Sequence, residues 1–355
     1  MKILYTTDLH GSDMYYSIIR KKALQHNVDM VINGGDMLPK RGNNIFRAQQ
    51  KFIRYLEKDY FPRFEKAEIH YVCCLGNDDM RIYDQVFDNA CSRFEFVHNI
   101  AQRKIEINGL EFIGMNYVAD YPFGLKDRCR MDKKEFVFPI QRGTPSFSVE
   151  KGSGAGWEDI EDWFTLANTL PTIEDELRAL VRPKNMRKAI YVIHMPPAGL
   201  GLDVCANGDR PESRAVFNFL LKEQPLLSLH GHIHESYKMT GIWNVPMGET
   251  ICVQPGQGGM HPVYVLIDTD TMEMERFGHD TETLMVKGYT LDDGIKHIRI
   301  SELPEYLIKP FKDWMQERTI KDYPGEEHTN YSLFSEFEDF CRSKGIKAKL
   351  LNTKP

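Results

Sequence analysis

The chain has 355 residues, 42% hydrophobic and 27% charged, with a formal net charge of −6, enough to bury a large core as one big domain or two modest ones. That acidic balance denies it a general basic face for a nucleic-acid backbone, and no apolar run approaches the ~20 residues that cross a bilayer. Seven cysteines, an odd number without metal-type spacing, read as free thiols in a reducing compartment, and Asp8 lies too near Met1 for a leader to be cut away without harm; both point to the cytoplasm.

Residues 2–6 read as a first strand, and Ser12 as the N-cap of a helix to about residue 26 whose inner stripe includes Tyr15, Ile18, Ile19 and Leu24. Residues 28–33 form a second strand. A helix with Phe46, Phe52, Ile53 and Leu56 on one side follows, then a third strand over 67–75 that carries Cys73 and Cys74 as buried thiols. This βαβαβ opening implies a parallel sheet with right-handed crossovers. Alternation on either side of Asn108-Gly109 predicts a two-residue hairpin and a mixed sheet.

From about residue 120 to 156 the chain is rich in Gly, Pro and charge, and reads as a lid-like insertion over a site mouth. Helical periodicity returns over 158–180, with Pro171 suited to a first turn. Residues 188–193 form a strand and 213–223 a helix with Val216, Phe217, Leu220 and Leu221 inward. Residues 226–229, 251–253 and 263–267 supply further strands. Residues 1–277 thus read as one domain and 278–355 as a C-terminal extension of unknown role, ending in a helix with Leu333, Phe334, Phe337 and Phe340 stopped by Gly345.

Short polar clusters follow these apolar runs. They are Asp8-Leu9-His10, Gly34-Gly35-Asp36, Gly76-Asn77-Asp78, a lone His194, and Gly231-His232-Ile233-His234. All would project from strand ends, where sites in α/β proteins gather. The donors are oxygen and imidazole, which suit hard-to-borderline divalent metals. Taken singly, Asp8, Asp36 and Asn77 read as N-cap or turn residues, but capping does not explain the coincident histidines. His232 and His234 alternate along an extended backbone, so a twist is required for both to reach one cluster. His230 reads as a core histidine or a supporting partner, and His26, His70, His98, His261, His279, His297 and His328 carry no motif.

In order and type these blocks resemble the calcineurin-like metallophosphoesterase superfamily over roughly residues 1–270. The resemblance implies a four-layer α/β/β/α sandwich with its site at one rim, and metal-dependent hydrolysis of a small phosphoester by a metal-bridging hydroxide attacking phosphorus in line. Two ions held ~3.5–4 Å apart can supply both nucleophile and charge relief. By that resemblance Asp8, His10 and His234 would bind one ion and Asn77, His194 and His232 the other, with Asp36 bridging; Mn, Fe or Zn would serve.

Two departures narrow the reading. Asp78 stands where the superfamily commonly has a His that helps the leaving group or holds phosphate, so Asp78 is the candidate catalytic residue. It could serve as an acid only with a raised pKa, which nearby cations oppose; a preference for diesters or activated monoesters follows. Gln254-Pro255-Gly256-Gln257 replaces the relatives' Asn-Pro-Gly-Ser. Arg128 and Arg130, in the charged stretch of the insertion, are candidate phosphate contacts, against the plainer reading of a solvated charged loop. The rival functions are a binding scaffold on the same fold, as in a retromer subunit, and a nuclease, which the charge balance disfavours.

Overall fold

The computed structural model describes residues 1–152, 154–211, 213–259, 261–278, 286–290, 294–298, 310, 341 and 343. Its strands in chain order are β1 (Lys2–Thr6), β2 (Met30–Asn33), β3 (His70–Cys73), β4 (Val97–Asn99), β5 (Lys104–Ile107), β6 (Leu110–Met115), β7 (Val118–Ala119), β8 (Cys129–Arg130) and β9 (Ser146–Lys151). They continue as β10 (Gly154–Asp159), β11 (Ala189–Ile193), β12 (Leu227–Leu229), β13 (Asn244–Met247), β14 (Thr250–Val253), β15 (Tyr264–Asp268), β16 (Met274–Phe277), β17 (Val286–Thr290) and β18 (Gly294–Ile298). The helices are α1 (Asp13–Gln25), α2 (Ile45–Tyr55), α3 (Phe61–Ala67), α4 (Asp84–Cys91), α5 (Trp163–Ala167), α6 (Ile173–Ala179), α7 (Arg214–Glu223) and α8 (Ser236–Thr240). A π-helical turn, Leu56–Tyr60, joins α2 to α3.

β1, β2, β3, β11 and β12 consist almost wholly of buried residues, the pattern of strands covered on both faces. They are the inner strands of two six-stranded sheets, ordered β16-β15-β1-β2-β3-β4 and β13-β14-β12-β11-β6-β5. Within the first, β1 to β4 run parallel; within the second, β6, β11, β12 and β14 do. Antiparallel strands close both edges of the second sheet and the β15-β16 edge of the first, whose other edge is the parallel β4.

The sheets face each other across one apolar layer in which Ile3, Tyr5, Ile32 and Val72 meet Phe112, Ile190, Val192 and Leu229. Each such fully buried side chain contributes roughly 1.5–3 kcal/mol. The outer face of the first sheet packs on α1 to α4 through Tyr16, Ile19, Phe52, Phe61 and Phe87. That of the second packs on α6 and α7 through Ile173, Leu177, Val216 and Leu220. The expected four-layer α/β/β/α sandwich is therefore the fold.

Several local expectations need correction. Ser12 does cap α1, accepting from the Tyr15 backbone N–H, yet the buried stripe is Tyr16, Ile19 and Ala23, and Leu24 is exposed. Leu221 of α7 is exposed as well. The stretch 158–180 is not one helix, because β10 runs to Asp159 and two short helices follow. Pro171 precedes the cap; Thr172 forms a capping box with Asp175. The terminal helix expected around Leu333–Gly345 lies outside the described residues, although Cys341 is buried against the outer core of the second sheet.

The insertion has a core of its own. β7 pairs with β8 and β9 with β10, and Val118, Tyr121, Cys129, Met131 and Trp163 pack together with Met195, the residue after His194. Lys126 is fully buried, bonded to Asp120 at 2.7 Å and set over the rings of Tyr121 and Trp163.

The hairpin of β5 and β6 turns at Asn108 and Gly109, with φ of 49° and 78°, as the dipeptide predicts. A Cβ on Gly109 would meet nothing within 4 Å, so Gly109→Ala isolates the cost of the left-handed backbone. It should lower unfolding free energy by about 1 kcal/mol, measured by urea denaturation, with turnover unchanged; equal stability would contradict the turn.

Candidate metal centre

The carboxyl ends of β1, β2, β3, β11 and β12 share one rim, and each polar cluster lies in the loop just past its strand. Reaching inward from those loops requires unusual backbone. Asp8, His10, Asp36 and His232 take φ of 56°, 43°, 50° and 69°, a conformation costing about 1–3 kcal/mol at each non-glycine residue. Backbone bonds over-determine it: Asp8 N–H donates to Gly35 O and His10 N–H to Asp36 O, both at 2.9 Å. The His232 conformation is the twist that two alternating histidines need. Gly76 must lack a side chain, since a Cβ there would strike the backbone N and carboxylate of Asp36.

The seven expected ligand side chains converge. Asp8, His10, Asp36 and His234 each offer one donor atom within 4.8 Å of the others, as do Asp36, His194 and His232; Asp36 belongs to both groups. Asn77 Oδ1 joins the second group, 3.0 Å from His194 Nε2 and 2.6 Å from His232 Nδ1. His10 Nε2 and His234 Nε2 face each other at 3.0 Å, and His234 Nε2 lies 3.4 Å from Asp8 Oδ1. Nitrogen lone pairs and carboxylate oxygens brought together in this way suit a cation between them, so the donor set fits metal.

Charge in this cluster is mutually imposed. Burial opposes ionisation of Asp8, but His234 and His194 outweigh it and hold the carboxyl at about 2. Burial likewise opposes ionisation of Asp36, and His194 drives its pKa well down. Burial disfavours a charged His194, yet Asp36 and Asp8 raise it to about 9. Burial, reinforced by His194, pushes His232 down to about 3. Protons on imidazole thus supply the positive charge that the carboxylates demand, and a metal ligand must shed that proton.

Supporting residues fix these side chains. His194 Nδ1 lies 2.9 Å from Gly34 O, and donation there by the neutral ring leaves Nε2 turned to the cluster. His230 Nδ1 meets Ile193 O and Met195 O, on either side of His194, at 2.9 and 3.0 Å. Gln257 Nε2 donates to Thr7 O and Gln254 Nε2 to Ile233 O, so the altered Gln-Pro-Gly-Gln turn ties the Asp8 loop to the histidine loop. Asp79, fully buried, accepts from the backbone N–H groups of Met37, Leu38 and Gly76 at 2.9, 2.7 and 2.7 Å and so joins the Asp36 and Asn77 loops. Its only signal in the sequence is adjacency to Asn77-Asp78.

Asp78 lies at the open side, its carboxylate 3.8 Å from His10 Nδ1 and 4.0 Å from Lys40 Nζ. Burial first, and Asp36 second, raise its pKa to about 7. Arg128 and Arg130, expected as phosphate contacts, are buried and already partnered. Arg128 Nε donates to Gly76 O at 2.8 Å while its guanidinium pairs with Asp84. Arg130 pairs with Glu176 at 3.1 Å and lies 3.9 Å above the Tyr117 ring. Low exposure and carboxylate partners make both of them braces within the fold, and Arg128 holds the carbonyl just before Asn77.

A model of the calcineurin-like phosphoesterase family matches residues 1–236. One crystal structure aligns with a TM-score of 0.51 at 15% identity, covering 78% of this chain and 98% of its own, which extends the likeness of fold beyond the matched segment. TT1561 of Thermus thermophilus aligns at 17% identity and a TM-score of 0.47, over 78% of this chain and 97% of its own. Yfce, a phosphoesterase from E. coli, aligns at 12% and 0.30, over 78% and 98%. No curated protein matches the chain by sequence.

Arg128→Ala should weaken manganese binding by about 10–100-fold, as loss of a ligand-orienting partner does, in a calorimetric titration with circular dichroism unchanged; wild-type metal affinity would overturn the bracing role. Because His194 must be neutral to ligate, apparent manganese affinity should climb between about pH 6 and its raised value of about 9 and then level off. A flat profile across that window would contradict the proton-for-metal exchange.

Proposed function

Because the chain belongs to the calcineurin-like phosphoesterase family, whose enzymes are metal-dependent phosphoester hydrolases, we propose that it is a dinuclear-metal phosphodiesterase acting on a small substrate. The observation that carries this is Asp36, one carboxylate within reach of two separate donor groups. Asp8, His10 and His234 would hold one ion, Asn77, His194 and His232 the other, and Asp36 both. Mn, Fe and Zn all accept such donors. When bound, the pair supplies an activated water for in-line attack at phosphorus and charge relief for the leaving oxygen.

The remaining chemistry belongs to the chain. Asp8, Asp36, Asn77 and His194 form a buried floor, while His10, His234 and Asp78 line the side from which a substrate arrives. Asp78 takes the place of the family's His. Without metal its pKa is raised to about 7, but neighbouring cations favour its charged form, so it offers no proton to a poor leaving group. That supports diesters and activated esters over alkyl monoesters. The free cysteines support a reducing compartment, the cytoplasm, and no described helix is long and apolar enough to cross a membrane.

Manganese-loaded protein should hydrolyse bis-nitrophenyl phosphate faster than an alkyl monoester, and Asp36→Asn should abolish turnover. A clear alkyl monoester preference would overturn the diester assignment. Full metal loading without hydrolysis of either ester would instead favour a binding scaffold.

A further inference from the structure

The phosphodiesterase reading leaves open what grips the substrate's negative charge, and the residues first expected to do so are committed elsewhere. The rim of the metal centre carries another cation. Lys40 Nζ lies 3.1 Å from His10 Nε2 and 4.0 Å from Asp78 Oδ2, with the Lys40 and Asp78 side chains 34% and 33% exposed. The floor of the site is closed by comparison, Asp8, Asp36 and His194 being 2%, 1% and 0% exposed. Substrate therefore approaches past Lys40 and Asp78.

The position of Lys40 is built. The two residues before Pro39 have their backbone N–H groups clamped by Asp79, and Gln49 Nε2 donates to Pro39 O at 3.1 Å. The same Gln49 amide donates to Asp78 O at 2.8 Å, so one side chain registers the Lys40 turn against the Asp78 loop. The ammonium stands within hydrogen-bond reach of the cluster-facing nitrogen of His10; an ion held by that nitrogen would take its lone pair and leave the ammonium free for an anionic oxygen presented from the open side.

Resting on the hydrolase reading above, we propose that Lys40 is the anion-binding residue of the substrate site and that Asp78 beside it sets the charge the site accepts. The ammonium donates to an oxygen on phosphorus, a charge-assisted bond. The neighbouring carboxylate repels any second negative charge placed there. Together they admit a mono-anionic phosphodiester and penalise a dianionic monoester, which turns the absence of the family's His into a selectivity device.

Equilibrium binding tests this without turnover. Manganese-loaded wild type, Lys40→Gln, Lys40→Arg and Asp78→Asn would be titrated calorimetrically with dimethyl phosphate, which carries one negative charge, and phenylphosphonate, which carries two at about pH 8; bound manganese would be counted in each. Lys40→Gln should weaken both ligands by about tenfold or more, with metal content unchanged and affinity recovered in Lys40→Arg. Asp78→Asn should tighten phenylphosphonate by about tenfold and dimethyl phosphate by only about threefold, because the repulsion scales with the charge of the ligand. Unchanged binding in Lys40→Gln sinks the proposal, and so does loss of manganese in that variant, which would make Lys40 a positioning residue for His10. Wild type that takes up no manganese would sink the hydrolase reading and this proposal with it, whereas active, metal-loaded wild type beside an unaffected Lys40→Gln would sink the proposal alone.

Discussion

Two carboxylates shut away from water on one rim, Asp8 and Asp36, need positive charge within a few ångströms, because an unpaired buried charge costs several kcal/mol. Much of the surrounding structure follows from that need. His194 and His234 are drawn in to meet it, and both are held toward the protonated form by the carboxylates they answer. Four residues accept left-handed backbone to bring their side chains to the same place. Strain of this kind persists only where the surroundings over-determine it, and here parallel strands, crossed backbone bonds and the Asp79 clamp do so. Metal relieves the same demand more completely than protons can.

The insertion of residues 120–156 acts on that demand from outside. Asp127 accepts from the Arg81 backbone N–H at 2.8 Å and from the Ser148 backbone N–H at 2.9 Å, while Arg128 holds Gly76 O. The Asn77-Asp78 loop is thus gripped beneath by Asp79 and at its flank by the insertion. Tyr121, whose ring centroid lies 6.0 Å from that of His232, brings the same segment against the histidine loop. In these contacts the stretch braces the two loops whose side chains converge at the rim. Its buried Lys126–Asp120 pair is weak evidence for stability, since desolvating two charges offsets most of their attraction; its clearer effect is to fix where Tyr121 and Trp163 sit.

The sequence made the inner strands and the seven converging Asp, Asn and His side chains legible for one reason: each polar cluster directly follows a short apolar run, so local pattern and site coincide. Edge elements were harder. β4, β13 and β16 are three or four residues long and partly exposed, and Pro246 in β13 argues against a strand until its place at the sheet edge is known. The charged run from Lys126 to Arg130 misled for a different reason. Side-chain type declares charge, but Arg128 pairs with Asp84 and Arg130 with Glu176, 44 and 46 positions away, and only the fold decides whether such a residue is solvated, buried or presented to substrate.

Lys40 makes the complementary case. In the sequence Pro39-Lys40-Arg41-Gly42 belongs to none of the polar clusters that follow the strands, and a lysine outside them carries no prior for function. What singles it out is the backbone before it, pinned by Asp79 and Gln49, two residues with no chemistry of their own at the metal centre. A flexible ammonium becomes selective when its tether is short and fixed, because less rotamer freedom is then lost on contact. The floor of the site, rigid and strained, can do little but hold its ligands; discrimination between substrates falls to the rim, where Lys40 and Asp78 retain exposure and where a single change of charge leaves the buried donors undisturbed.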